Sequence, residues 1–118
     1  MMKNTRWTPF FSWSSCKSQD SKKPDVVDLQ VAELELFSTA YSMNAKVNHK
    51  GSDGKWYKKI LAIKYFESFN SELLKHWEEA FHKGWIRTNS HIRIKTWLDT
   101  SKKHKDRMIR RFRLIVLD

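Results

Sequence analysis

The chain has 118 residues, 40% of them hydrophobic, a formal net charge of +10 and one cysteine. This length suits one domain with one core, and a single cysteine excludes an intramolecular disulfide and a cysteine-based zinc site. The positive charge favours polyanionic partners, either nucleic acid or anionic lipid, and carries no information about the fold.

The first 25 residues have no hydrophobic periodicity, so we predict a flexible basic and aromatic tail over 1–25 and a single domain over 26–118. The segment WTPFFSW holds four aromatic residues, which we expect to dock back onto the domain. The alternative is that the tail contacts a membrane or a protein partner. Its contacts would then be Trp7, Phe10, Phe11, Trp13, Cys16, Lys22 and Lys23, with Lys3, Arg6 and Lys17 near lipid heads.

The start of the chain lacks the continuous apolar stretch of a secretory signal, and no run is long enough for a transmembrane helix. We therefore expect the protein to be intracellular, either cytoplasmic or nuclear.

The stretch VDLQVAELELFSTAYSMNAKVN alternates between apolar and polar residues, and the alternation changes phase near Tyr41. This pattern predicts extended structure with a bulge near Ser38–Ala40 or a break between two strands. A helix through Val27, Val31, Leu34 and Tyr41 also fits in part, but the regular alternation of the second half favours strand. The loop NHKGSDGK and the β-rich segment KWYKKILAIKYF then complete a predicted hairpin.

The segment SFNSELLKHWEEAFHKG is predicted to be the helix, with Asn70 or Ser71 as its N-cap and Gly84 just past its end. Its apolar stripe consists of Leu73, Leu74, Trp77, Ala80 and Phe81, which need a sheet to cover. Its i,i+4 pairs of opposite charge are Glu72–His76, Lys75–Glu79, Glu78–His82 and Glu79–Lys83.

Two more strands, in WIRTNSHIRIKTWL and RMIRRFRLIVL, follow the helix. The predicted fold is a small α+β domain with an antiparallel sheet of four to five strands, in the order β-β-α-β-β, and one helix on one face. An antiparallel pairing with a loop centred near Lys103 places apolar residues opposite each other, Ile92 with Leu114 and Ile94 with Phe112. It also places like charges opposite each other, Arg93 with Arg113 and Lys95 with Arg111.

This register predicts a cluster of cations on the sheet face away from the helix, continued by the loop SKKHKDR. An anionic partner would relieve the repulsion within the cluster, and an aromatic residue beside it could stack on a base. The candidate nucleic-acid-binding residues are Arg93, Lys95, Trp97, Lys102, Lys103, Lys105, Arg107, Arg111 and Arg113. Two alternatives stay open: Glu33 and Glu35 could neutralise the cluster, or the long stems could cover apolar surface with their charged ends in water.

No catalytic motif occurs in the sequence. His76 and His82 lie six residues apart, about 120° around a helix, and so cannot easily share a metal ion. No glycine-rich phosphate loop, nucleophile elbow or RNA-binding signature is present. We therefore expect a protein that is not an enzyme and needs no cofactor or metal.

The pattern favours a non-enzymatic module that binds RNA or DNA through phosphates, with weak sequence preference. The alternative is a matrix-like or adaptor protein on an anionic membrane or a protein partner. A viral or phage structural or accessory protein would fit this layout by analogy of composition alone.

Overall fold

A computed structural model describes residues 10–38, 42–65, 71–100 and 107–117, with the side chains of 33–38, 42–43, 64–65 and 71 left out. The elements, in chain order, are β1 (Asp25–Ser38), β2 (Ser42–Lys50), β3 (Trp56–Tyr65), α1 (Ser71–His82), β4 (His91–Thr100) and β5 (Met108–Val116). The strands form one sheet in the order β3-β2-β1-β4-β5, and every neighbouring pair is antiparallel. The expected α+β fold with one helix and an antiparallel sheet is confirmed.

Three strands precede the helix, because the first predicted element is divided into β1 and β2. The phase change in the sequence therefore marks a break between two strands, and the helical alternative for this stretch is wrong. Strand β1 also has register shifts on either side of Glu33 in its pairing with β2. Such irregularities are typical of β-bulges, in which one strand carries an extra residue relative to its partner.

Alternation along each strand turns one face of the sheet toward α1, and we call this the covered face. Strand β1 contributes Val27, Leu29 and Val31 to it, and all three are buried. The helix contributes Leu73, Trp77 and Ala80 to the same core, as its apolar stripe predicts, whereas Phe81 is 38% exposed. The remaining core residues on the strands are Ala45, Val47, Leu61, Ile63, Ile92, Ile94 and Phe112.

The helix ends as its sequence predicts. Gly84 has a φ of 73°, a left-handed conformation that glycine adopts at little cost. The Gly84 N–H donates to the Phe81 carbonyl at 3.1 Å, and the Trp85 N–H donates to the Ala80 carbonyl at 2.9 Å. These two bonds form a Schellman motif, which satisfies the last carbonyls and turns the chain so that Ile86 enters the core.

Residues 10–24 lie against the covered face. The Phe11 N–H donates to the Ile60 carbonyl at 2.9 Å on the β3 edge, and the Trp13 ring lies 5.1 Å from the Phe112 ring. Phe11 and Trp13 both pack against the core, so the expected docking of the aromatics is confirmed for these two residues. Phe10 is 49% exposed, and Trp7 lies outside the described residues.

An arginine on the covered face holds this segment in place. Arg110 donates to the carbonyl of Cys16 at 2.9 Å, to the carbonyl of Trp13 at 3.4 Å and to the Thr96 hydroxyl at 3.1 Å. These bonds compensate a half-buried guanidinium for lost water. The guanidinium group of Arg110 therefore bonds to groups of the same chain on the covered face.

Candidate nucleic-acid interface

The β4–β5 register differs by two residues from the predicted one. Ile94 pairs with Leu114, Lys95 with Arg113, Thr96 with Phe112, and Trp97 with Arg111. The predicted pairings of Ile92 with Leu114, Ile94 with Phe112, Arg93 with Arg113 and Lys95 with Arg111 are therefore wrong. The observed register leaves one directly opposed pair of cations where the predicted register has two, which reduces electrostatic repulsion. Because a shift of two residues preserves side-chain direction, each residue stays on its predicted face.

The face of the sheet opposite α1 is called the open face, because no described segment lies across it. Its described cations are Lys46, Lys50, Lys58, Arg93, Lys95, Arg111 and Arg113, and its described carboxylates are Asp28 and Asp99. Each of the five strands contributes to this set through side chains that alternate with the buried ones. The described part of the open face is therefore strongly basic.

The central cations of the open face are those of β4 and β5, namely Arg93, Lys95, Arg111 and Arg113. Two of them, Arg93 and Arg111, form ion pairs with carboxylates of the same chain. Arg93 Nε donates to Asp28 Oδ1 at 2.7 Å across the β1–β4 pair. Arg111 lies 3.0 Å from Glu72 and 3.6 Å from Asp99. These partners reduce the charge that Arg93 and Arg111 offer to a ligand.

Glu72 makes this contact from the first turn of α1, around the edge of β5. Its carboxylate accepts the Phe112 N–H at 2.6 Å and Arg111 Nε at 3.1 Å. The i,i+4 pairing predicted between Glu72 and His76 is replaced by this contact across 39 residues of sequence. A charge-assisted bond to a backbone N–H of an edge strand protects that edge.

Lys95 and Arg113 are the opposed cations that remain. They are direct partners in the β4–β5 ladder. Among the described side chains, neither has a carboxylate within 4.0 Å. The backbone of Glu33 pairs with Lys46, on β2, but the side chains of Glu33 and Glu35 are outside the described residues. Neutralisation by those two carboxylates stays a prediction.

Aromatic side chains accompany the cations on the open face. Trp97, half-buried, is the ladder partner of Arg111, and Trp56 on β3 is 48% exposed. The Trp56 ring lies 6.4 Å from the His91 ring, although two strands separate β3 from β4. The Trp56 side chain therefore leans across the face and presents a broad aromatic surface.

The open face contains several residues that were not among the sequence candidates, namely Lys46, Lys50, Lys58 and Trp56. Alternation in KWYKKILAIK places Trp56 and Lys58 on one side of β3, but nothing local shows that β2 and β3 continue the face of β4 and β5. Of the predicted loop residues, Arg107 is exposed next to β5, and Lys102, Lys103 and Lys105 lie outside the described residues.

The N-terminal residues proposed for membrane or partner contact have different surroundings. Cys16 is buried, and this burial raises the pKa of its thiol, which disfavours the reactive thiolate. Lys22 and Lys23 are exposed in a turn that the Ser18 hydroxyl stabilises by donating to the Lys23 carbonyl at 2.6 Å. The only described helix has 12 residues, too few and too polar to cross a membrane.

The ion pair between Asp28 and Arg93 should make the stability of the fold depend on pH. The hydrogen bond from Arg93 is the main cause that holds the pKa of Asp28 below its ordinary value, and Lys50 contributes to the same shift. Because the folded pKa is lowered, the stabilisation is present above the unfolded pKa, 3.8, and is lost as the pH falls through the folded value. Asp28→Asn should cost at most about 1 kcal/mol at neutral pH, since both side chains are 40% exposed.

The measurement is a double-mutant cycle of Asp28→Asn and Arg93→Gln in urea, at pH 7 and at pH values down to about 3. The coupling energy should be present at neutral pH and should decrease in acid. A coupling energy that does not change with pH would contradict the assignment of this ion pair.

In the described residues, no three side chains among the histidines, cysteines, aspartates and glutamates come together in a way that could hold a metal ion. The geometry offers positive charge, stacking surface and backbone held rigid in a sheet. Comparison with protein-family models, with curated proteins and with solved structures found no match.

Proposed function

We propose that the open face binds single-stranded nucleic acid, RNA or DNA, without catalysing a reaction on it. The observation that carries the proposal is the excess of described cations over described carboxylates on a sheet face that no described segment covers and that also presents Trp56 and Trp97. Cations that follow the phosphates, together with aromatic rings that stack on bases, are the usual means of binding single strands.

Lys95 and Arg113 form the centre of the proposed interface. They are opposed in the ladder, and like charges in this position destabilise a sheet. A phosphate placed between them would offset that repulsion, so binding would stabilise the fold as well. Lys50, exposed on the neighbouring part of the face, would extend the path of positive charge.

Arg93 and Arg111 support the interface in a different way. Their carboxylate partners orient the two guanidinium groups and reduce their net charge. A phosphate would have to share each arginine with Asp28 or Glu72. Arg93 and Arg111 therefore contribute less to the affinity for nucleic acid than two arginines without carboxylate partners would.

The proposed recognition has little sequence preference. Two described amides of the open face are bonded to each other, since Asn48 Nδ2 donates to Gln30 Oε1 at 3.2 Å, which occupies one donor and one acceptor that could otherwise contact a base edge. Phosphate contacts position a strand, whereas base-edge hydrogen bonds are needed to specify its sequence. Stacking on tryptophan does not discriminate between bases, because every base has an aromatic face.

A membrane-associated or adaptor role remains the alternative outcome. Phe11 and Trp13 pack in the core and Cys16 is buried, so these three residues are not available for insertion into lipid. Among the described residues, those left to meet a vesicle surface are Phe10, the lysines of the turn and the open face itself. We therefore place the nucleic acid first and use vesicles as the comparison in the test.

The test is a titration of the full chain with a fluorescein-labelled oligothymidylate of about 12 nucleotides, at about 0.05 M and 0.2 M salt. Each phosphate contact on a single strand contributes about −0.7 to the slope of log K against log salt. With about three to five contacts, affinity should fall about 20- to 130-fold between the two conditions, and tryptophan fluorescence should change as bases stack.

The vesicle arm uses phosphatidylserine vesicles under the same two conditions. We expect the oligonucleotide to bind more tightly than the vesicles at each salt concentration. Salt-independent binding of the oligonucleotide, or preferential binding to the vesicles, would contradict the proposal.

A further inference from the structure

The edge strand β5 is open along only part of its length. The Leu117 N–H donates to the His91 carbonyl, toward β4, whereas the Phe112 N–H points away from the sheet and meets Glu72. Backbone groups alternate in direction along an antiparallel strand. Leu114 and Val116 therefore turn their N–H and C=O groups outward, in the same direction as Phe112.

The opposite edge of the sheet is covered differently. The segment before β1 forms a parallel bridge to β3 between Phe10 and Ile60, with the Phe11 N–H bonded to the Ile60 carbonyl. On β5, Glu72 covers the edge at Phe112. No backbone partner for the outward groups of Leu114 and Val116 is found among the described residues.

A groove of about 540 Å³ runs beside this part of β5, between the strand and the C-terminal half of α1. Its apolar lining is Ala80, Leu114 and Val116, and Trp85 stands at its side with 52% of its surface exposed. An extended segment paired with β5 would therefore find both backbone partners and an apolar contact for alternate side chains.

The charged side chains around the groove favour an acidic occupant. Arg87 and Arg113 line it and are exposed. Glu79, the acidic residue of the lining, is held by Lys83 at 3.7 Å. The net charge of +10 opposes self-association through this edge, because two copies would bring their arginines together. An acidic peptide fits the same groove with favourable charge.

We infer that the exposed edge of β5 at Leu114 and Val116 binds an extended acidic peptide segment of a partner protein, which adds to the sheet as a sixth strand. This site lies at the edge of the sheet and is distinct from the proposed nucleic-acid interface on the open face, but the two share Arg113, which is central to that interface and also lines the groove. Main-chain bonds to β5 supply the affinity, and Arg87 and Arg113 select acidic side chains.

The test uses a fluorescein-labelled heptapeptide of alternating glutamate and valine, titrated against the full chain by fluorescence polarisation. The acidic peptide should bind at least tenfold more tightly than its lysine–valine counterpart, because the charges at the groove are basic. Replacing the central valine of the peptide by proline should weaken binding, since proline lacks the N–H that pairs with β5.

Val116→Pro tests the protein side, because it removes an outward N–H and leaves the bonds to β4 in place. It should weaken binding of the acidic peptide about fivefold, the worth of a hydrogen bond, and leave oligonucleotide affinity unchanged. Met108→Pro is the matched control, since Met108 lies on the same strand with the same outward direction, but outside the groove.

Arg87→Gln provides a second variant in case Val116→Pro does not fold, and it should also weaken binding of the acidic peptide. Equal binding of the acidic and basic peptides would overturn the inference. Equal affinities for the Val116→Pro and Met108→Pro variants, both shown to be folded by circular dichroism, would overturn it as well.

Discussion

The double substitution Lys95→Gln/Arg113→Gln is expected to lower affinity for a single-stranded oligonucleotide about 25-fold at 0.1 M salt. Each phosphate contact that is lost removes about 0.7 from the salt slope, and at this salt concentration each is worth about 0.7 logarithmic units of affinity. The two residues are ladder partners without a described carboxylate, so their charges are the ones most available to phosphate. The salt slope should decrease by about 1.4.

The same substitution should not destabilise the fold. It removes the one pair of opposed cations in the β4–β5 ladder, so the free energy of unfolding should stay constant or rise slightly. Loss of binding together with retained stability would show that these side chains act on the ligand and not through the fold.

The matched control is Lys22→Gln/Lys75→Gln, which removes the same net charge from exposed positions away from the open face. This control should lose much less affinity, because its lysines do not contact the strand. Asp28→Asn should act in the opposite direction and raise affinity, since it frees Arg93 from its carboxylate. Equal losses in the two double variants would mean that net charge alone drives binding.

Trp77→Ala should destabilise the protein by about 3–5 kcal/mol, the cost of removing a large aromatic side chain from a core. Trp77 is fully buried between α1 and the sheet. Since small domains have only about 5–15 kcal/mol of stability in total, this variant should be close to unfolding at room temperature. Urea unfolding followed by far-UV circular dichroism measures the change.

Trp85→Ala is the control, because the same residue type is 52% exposed there. It should change stability by less than about 0.5 kcal/mol. Trp77→Phe should fall between the two, since it keeps most of the apolar area and removes an indole N–H without a partner among the described residues. Similar losses for Trp77→Ala and Trp85→Ala would contradict the packing of α1 described above.

Local patterns were sufficient to predict most elements of secondary structure. The stripe through Leu73, Trp77 and Ala80 has the helical period, and Gly84 marks the helix end, so both follow from neighbours in the chain. The period of two in β4 and β5 also predicted which side chains point toward the helix. These predictions are confirmed because each depends on contacts between residues that are close together in the chain.

The candidate site was only partly predictable. The directions of Arg93, Lys95, Arg111 and Arg113 followed from alternation, but the β4–β5 register did not, because a shift of two residues leaves every side chain on the same face. The choice between two such registers depends on which charged residues lie opposite each other and on where the connecting loop lies. Local sequence patterns did not distinguish between them.

The sequence alone therefore determined which residues lie on each face of the helix and strands, and that the chain carries an excess of positive charge. The tertiary structure decided how much of that charge is compensated. Placing β1 between β2 and β4 brings Asp28 beside Arg93, 65 residues away, and packing α1 against β5 brings Glu72 to Arg111. Periodicity is a property of neighbours along the chain, whereas electrostatic compensation depends on strand order and helix packing, which bring distant residues together.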